Sequence, residues 1–231
     1  QEAMSQTAEL LVKLENLDSR LLRQDQLLTY RILKSYLTTQ LSAKGLELYD
    51  QPLSSSLGVQ AQLPILLSEY AFYSKQDVED YLELLSTIDS YYGEIAAFEQ
   101  QKTEAGLGLC DAVIDRILAS CDAYLLDADH SFMAATFAER LEALPDLTDQ
   151  EKQDYIARNH QMIDEHFVPA YQLLIDKLTA LKGTGGNDKG LCYLPEGKRY
   201  YEYMVNSSTG TSYPTIEELK SAMGAQMLKD L

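Results

Sequence analysis

Apolar residues recur along most of this chain at spacings of three and four, the period of an amphipathic helix. Leu10, Leu11, Leu14 and Leu17, then Leu27, Tyr30, Leu33, Leu37 and Leu41, predict two helices within residues 5–45. The break between them falls near Arg23–Gln26, and Gly45 suits a C-cap. Pro52 and the serines 54–56 mark a loop that Gly58 ends. Pro64 fits the first turn of a helix over Ile65–Phe72, where a missing N–H costs little. Ser74 with Asp77 starts the next helix, which buries Val78, Tyr81, Leu82 and Leu85. A further helix begins at Asp89, turns Tyr92, Ile95 and Phe98 inward, and closes at Gly106.

The second half continues the pattern. Cys110–Leu125 reads as a helix with Val113, Ile117 and Cys121 on one face, residues 127–130 as a turn, and Phe132–Leu144 as a helix stopped by Pro145. Thr148 and Glu151 form a capping box. The helix it opens, residues 149–182, would be about 50 Å long at 1.5 Å per residue. Its stripe is Ile156, Ile163, Phe167, Ala170, Leu174, Leu178 and Leu181, and Pro169 should kink it by removing the bond to the Glu165 carbonyl. Gly183 caps its end. A second box, Thr215 to Glu218, opens a last helix with Ile216, Leu219, Met223 and Met227 on its apolar face. Strand patterns are weak; only 46–49 and 191–194 could pair as short strands. The expectation is an all-α array of about seven to nine helices, mostly antiparallel, with one long Pro-kinked helix and at most a minor two-stranded β element. Residues 1–231 read as a single helical lobe containing a Gly/Tyr-rich irregular segment, 183–214.

Charge narrows the partners. The chain has 231 residues, 45% of them hydrophobic, with 36 acidic against 19 basic side chains and a net charge of −17. Such a surface repels phosphate backbones and anionic lipid, which excludes nucleic acid as the expected partner. It is either a solvated face or one that prefers cationic ligands. No apolar run approaches the roughly 20 residues of a membrane helix. The chain opens QEAMSQTAEL without an initiator Met, so it reads as a processed or excised piece, compatible with a cleaved export signal. Cys110 and Cys121 would lie about 16 Å apart on one helix, beyond disulfide reach. With Cys192 they read as free, partly buried thiols.

The usual reaction motifs are missing. None of His130, His160 and His166 is followed by Glu, and Met162 stands where an inverted zinc motif needs His. His160 and His166 would point to different helix faces, about 240° apart at 100° per residue. His160 and Asp164, at i and i+4, could share a metal or simply a hydrogen bond. There is no G-x-S-x-G elbow. The glycines 183–190 resemble a phosphate loop, but Lys189 is followed by Gly190 rather than Ser or Thr, and a helix precedes them. No catalytic or metal-binding residue is therefore assigned. Tyr193, Tyr200, Tyr201 and Tyr203 crowd the turn at Pro195-Glu196-Gly197. Phenols there suit either a cleft wall that binds peptide-like groups or a packed core.

The run Gly190-Leu191…Leu194-Pro195-x-Gly197-x-x-Tyr200-Tyr201, then Thr209-Gly210-Thr211 and the capped Thr215–Glu218, resembles the domain-of-unknown-function 885 family. Residues 58–85 are similar to the early segment of its clostridial-type members, and 167–191 also fit. The resemblance covers most of the chain from about Leu27 onward. It implies a largely helical protein similar to gluzincin-type zinc metallopeptidases, exported to the cell envelope or extracellular space, often as a lipoprotein. A cytoplasmic location is the alternative. The family's His-Glu-x-x-Pro-Gly-His motif is not in this chain, so zinc is expected in a C-terminal catalytic half, the implied partner. What the resemblance implies here is an N-terminal, non-catalytic lobe. Lys198, Tyr200 and Tyr201 would approach a peptide substrate, and Gly190, Pro195 and Gly197 would shape the turn. The other reading is a stand-alone helical binding or scaffold module.

Overall fold

The computed structural model describes residues 2–211, 213 and 215–230. All regular structure among them is helical. The α-helices are α1 Glu2–Glu15, α2 Gln24–Ser42, α3 Val59–Ser68, α4 Lys75–Ser86, α5 Ile88–Glu104 and α6 Asp111–Asp122. They continue as α7 Phe132–Glu142, α8 Asp149–Met162, α9 Val168–Ala180, α10 Gly197–Thr209 and α11 Ile216–Asp230. No helix among the described residues is long and apolar enough to cross a membrane. The two candidate strands are instead 3-10 turns, Glu47–Tyr49 and Leu191–Tyr193. Residues 197–209 of the segment expected to be irregular form α10. The tyrosines there recur at helical spacing, a signal that the neighbouring glycines mask.

The chain forms two compact units, residues 51–188 and residues 1–50 with 189–231. The second of these is sparsely cored. Ala43, Leu46, Tyr49 and Tyr200 are its buried apolar side chains among the described residues. Helices α1 and α2 pair beside one another through a 3-10 turn at Ser19–Leu21, and α10 packs on α2. The break lies just before the predicted one, and Gln26 accepts the Arg23 N–H at its end. None of α1, α2 and α11 has a fully buried residue. Thr215 accepts the Glu218 N–H as its box predicts.

The 51–188 unit has a continuous core. Helix α5 lies along α9, α6 against α9, α4 and α7 against α8, and α3 against α6 and α7. The predicted faces of α4 and α9 are buried as expected. On α5 the inward face runs through Glu99 and Lys102 rather than Phe98, and these two form a buried ion pair at 3.1 Å. The Thr148–Glu151 box is formed as predicted, and Ser74 with Asp77 forms another.

Pro64 sits differently from expectation, while Pro169 interrupts the long helix as predicted. Helix α3 starts at Val59, so Pro64 lies inside it and is buried. Proline removes the N–H that would bond the carbonyl four residues back, here that of Gln60. That carbonyl accepts the Tyr171 hydroxyl at 2.7 Å, and the Tyr92 and Tyr171 hydroxyls bond at 2.8 Å. Three helices meet on an acceptor that the proline leaves free. In the long helix, a π-turn at Ile163–Phe167 precedes Pro169, and the Val168 N–H bonds the Ile163 carbonyl. The wider turn makes room for the ring ahead of the break.

At its other end, α3 is held by Arg140 of α7. The guanidinium donates from Nη1 to the carbonyls of Leu67 (3.0 Å) and Tyr70 (2.6 Å), and from Nε to that of Thr136 (3.0 Å). It lies over the rings of Phe72 and Tyr81, 4.4 and 4.9 Å from their centroids. A cation at the end of a helix satisfies its last carbonyls and opposes the negative pole of its dipole.

Tyr171→Phe removes the donor to a buried carbonyl and should cost about 1–3 kcal/mol, more than Tyr92→Phe. Urea unfolding of both variants checks the order, and equal costs would contradict it. Glu151 is bonded by Lys75 and by Thr148, which hold its carboxyl down at about 2, against an ordinary value of about 4.3. A carboxyl depressed by folding stabilises above its ordinary range and loses that effect as pH falls toward the folded value. Thermal melts of Glu151→Gln should therefore fall less than those of the unaltered chain between pH 4.5 and 2.

Candidate functional site

The residues singled out in the sequence lie around one turn in the unit formed by 1–50 and 189–231. Gly190 has φ +97°, a conformation that glycine adopts without strain. A 3-10 turn follows, with Tyr193 N–H on the Gly190 carbonyl, Leu194 N–H on that of Leu191, and Gly197 N–H on that of Leu194. Gly197 is required for space, since a Cβ there would lie 1.7 Å from the Leu191 carbonyl oxygen. Pro195 is exposed at the corner. The turn is tied down by the Glu196 N–H, which donates to the Tyr49 hydroxyl at 2.9 Å. Arg199 donates to the carbonyls of Ser42, the last residue of α2, and of Lys44.

Consecutive residues on a helix point about 100° apart, and the tyrosine pair is split accordingly. Tyr200 is buried against the Tyr49 ring, with its hydroxyl 3.3 Å from Asp50. Burial and the Asp50 carboxylate push its phenol up to about 12. Its ring packs beneath the turn and faces inward. Tyr201 is half-exposed and Lys198 extends into solvent. With Leu191, Cys192, Ile216 and Glu217 they line a cavity of about 490 Å³. Lys198 lies 3.5 Å from Glu217. The Glu217 backbone N–H and Lys198 hold that carboxyl below the ordinary range.

This cavity combines an apolar floor, a phenol, one ammonium and one carboxylate. Such a set can seat an uncharged, peptide-like group and orient it by hydrogen bonds. The contribution of α11 was not legible. The Thr215 box locates the start of the helix, but nothing in its pattern sets Ile216 and Glu217 against the first turn of α10.

The histidines are elsewhere and paired singly. His130 contacts Asp127 at 2.6 Å, His166 contacts Asp89 at 3.3 Å, and His160 lies 3.6 Å from Asp129 rather than bonding Asp164. Asp164 accepts the Ala128 N–H instead. Among the described residues, no group of three or more His, Cys, Asp or Glu side chains could hold a metal ion.

The three thiols differ sharply. Cys121 is buried, and desolvation pushes its thiol up to about 11, whereas Cys192 is exposed at the cavity. Thiolate is the reactive form. An aromatic disulfide reagent should titrate Cys192 rapidly in the native protein and Cys121 only after denaturation. Cys192→Ser should remove the fast phase; its persistence would contradict this placement.

Residues 1–229 match the family described as "Bacterial protein of unknown function (DUF885)". A solved structure, "the putative lipoprotein from Colwellia psychrerythraea", has a similar fold, with a TM-score of 0.80 at 12% sequence identity. The likeness covers 92% of this chain and 38% of that one, so the chain spans well under half the length of that relative. No curated protein matches it. With the family match running over nearly its whole length, the chain belongs to the bacterial DUF885 family.

Proposed function

We propose that this chain is the N-terminal, non-catalytic helical lobe of a larger exported protein of the metallopeptidase type. The Lys198–Tyr201 cavity contributes part of the wall against which a peptide-like substrate lies. The observation that carries this reading is the cavity itself. A rigid glycine turn presents a phenol and an ammonium beside an apolar floor. Peptide recognition needs such a pairing of apolar contact with a few oriented polar groups.

The length difference from the solved relative supports a longer whole. In this reading the zinc and its His-Glu motif belong to a further, C-terminal half. The lobe binds and orients the substrate, and Tyr200 acts only by holding the turn. The description of the relative as a lipoprotein supports export and attachment to the cell envelope. A stand-alone binding module is the second reading. It is favoured by the unburied faces of α1, α2 and α11, which suit a partner surface equally well.

The two readings separate experimentally. The reading frame beyond residue 231 should encode a His-Glu-x-x-Pro-Gly-His segment. In the protein spanning both parts, Tyr201→Ala and Lys198→Ala should each raise KM for peptides several-fold with little change in kcat, the signature of lost uniform binding. An active protein whose KM ignores both substitutions, or a frame lacking the motif, contradicts the proposal.

A further inference from the structure

A second cavity lies in the 51–188 unit. It is a groove of about 660 Å³ between the outer face of α3 and the α4–α5 corner. Leu63, Leu66, Leu67 and Tyr70 form one wall, and Leu84 and Tyr91 lie on the other. Leu66 is 62% exposed, Leu84 46% and Tyr91 43%. Large apolar side chains gathered in one open groove mark an interaction site, whereas scattered ones do not. The groove is built rather than incidental. The Tyr171 hydroxyl and the Arg140 guanidinium fix α3 at both ends, and Leu67 and Tyr70, whose carbonyls Arg140 holds, are themselves groove residues. On the other side, Thr87 closes the α4–α5 corner through its N–H and hydroxyl on the Leu84 carbonyl.

Charge identifies the occupant. The net charge of the protein is concentrated in this unit. Residues 51–188 carry 24 acidic and 8 basic side chains, while the remaining residues carry 12 and 11. Glu94 stands in the groove itself. A second copy of the chain would bring the same acidic surface against this one, and like charges facing each other oppose association. A basic partner is attracted by the same field, which raises its rate of encounter.

We propose that the groove binds a basic amphipathic helix, with apolar anchors at helical spacing seated between α3 and the α4–α5 corner and Lys or Arg side chains drawn to Glu94 and to the net acidic charge of the unit. Helix-in-groove recognition uses anchors at i, i+3, i+4 and i+7, and the groove volume lies within the usual range for binding sites, about 300–1,000 Å³. This inference is independent of the peptidase reading and of the Lys198–Tyr201 cavity.

A fluorescently labelled 14-residue peptide with Leu at those four positions and Lys on its other face tests the proposal by anisotropy, using the full chain. The peptide should bind, and binding should weaken as salt is raised. Replacing its Leu anchors by Ser, or its Lys by Glu, should each weaken binding at least about tenfold. Leu66→Asp should weaken it about tenfold although it adds a negative charge, which a purely ionic encounter would reward. Tyr91→Glu on the opposite wall should act likewise, while Leu57→Asp, exposed and outside the groove, should not. Thermal melts establish that each variant is folded. Equal binding of the Ser-anchored peptide, or binding unaltered by both groove substitutions, overturns the proposal. So does a sedimenting dimer that Leu66→Asp dissociates, since a second copy would then be the occupant.

Discussion

Pro64 leaves the Gln60 carbonyl without its helical partner inside a buried stretch of α3, and the Tyr171 hydroxyl takes that place. An unpaired buried carbonyl is costly, so the proline is compatible with the core only because Tyr171 reaches it. Tyr171 belongs to α9, the helix against which α5 and α6 pack, and its ring contacts those of Tyr92, Tyr124 and Phe167 at 4.9–5.0 Å. One acceptor thus joins α3 to the central helices of the 51–188 unit. Arg140 makes the corresponding tie at the far end of α3, where its guanidinium meets two carbonyls and two aromatic faces.

A helix fixed at both ends by side chains of other helices presents its outer face without help from a bound partner. That explains how Leu66 stays in solvent on a well-formed helix instead of folding inward. It also separates two roles within the chain. The 51–188 unit carries a deep core, most of the acidic charge and a preformed apolar groove. The other unit has a thin core and a turn locked by Gly190 and Gly197, on which Lys198 and Tyr201 face a cavity. The roles proposed for these two surfaces are both binding roles.

Helical periodicity made the all-α class, the two capping boxes, the α4 and α9 faces and the glycine stops legible, because each depends on residues close in sequence. What stayed hidden depends on distant partners. The tolerance of Pro64 within α3 rests on Tyr171, more than a hundred residues away. The π-turn before Pro169 and the inward Glu99–Lys102 pair on α5 rest on packing rather than local preference. Of the site, the turn glycines and the exposed Lys198 and Tyr201 were readable. The inward rotation of Tyr200 was not, since adjacent tyrosines carry no label for the buried side. Arg140 sits in an ordinary amphipathic pattern, and nothing in the sequence distinguishes it from a surface cation.

Tyr171 and Arg140 hold α3 in place, so that its outer face is formed before any partner arrives. Amide hydrogen exchange across residues 59–70 tests it most directly, because exchange reports the local opening of one segment separately from global unfolding. In the unaltered chain, α3 amides should be protected to a degree comparable with α9. In Arg140→Met they should exchange at least about tenfold faster while α5 and α9 keep their protection. Protection of α3 unchanged by that substitution, or lost equally throughout the unit, would contradict the account.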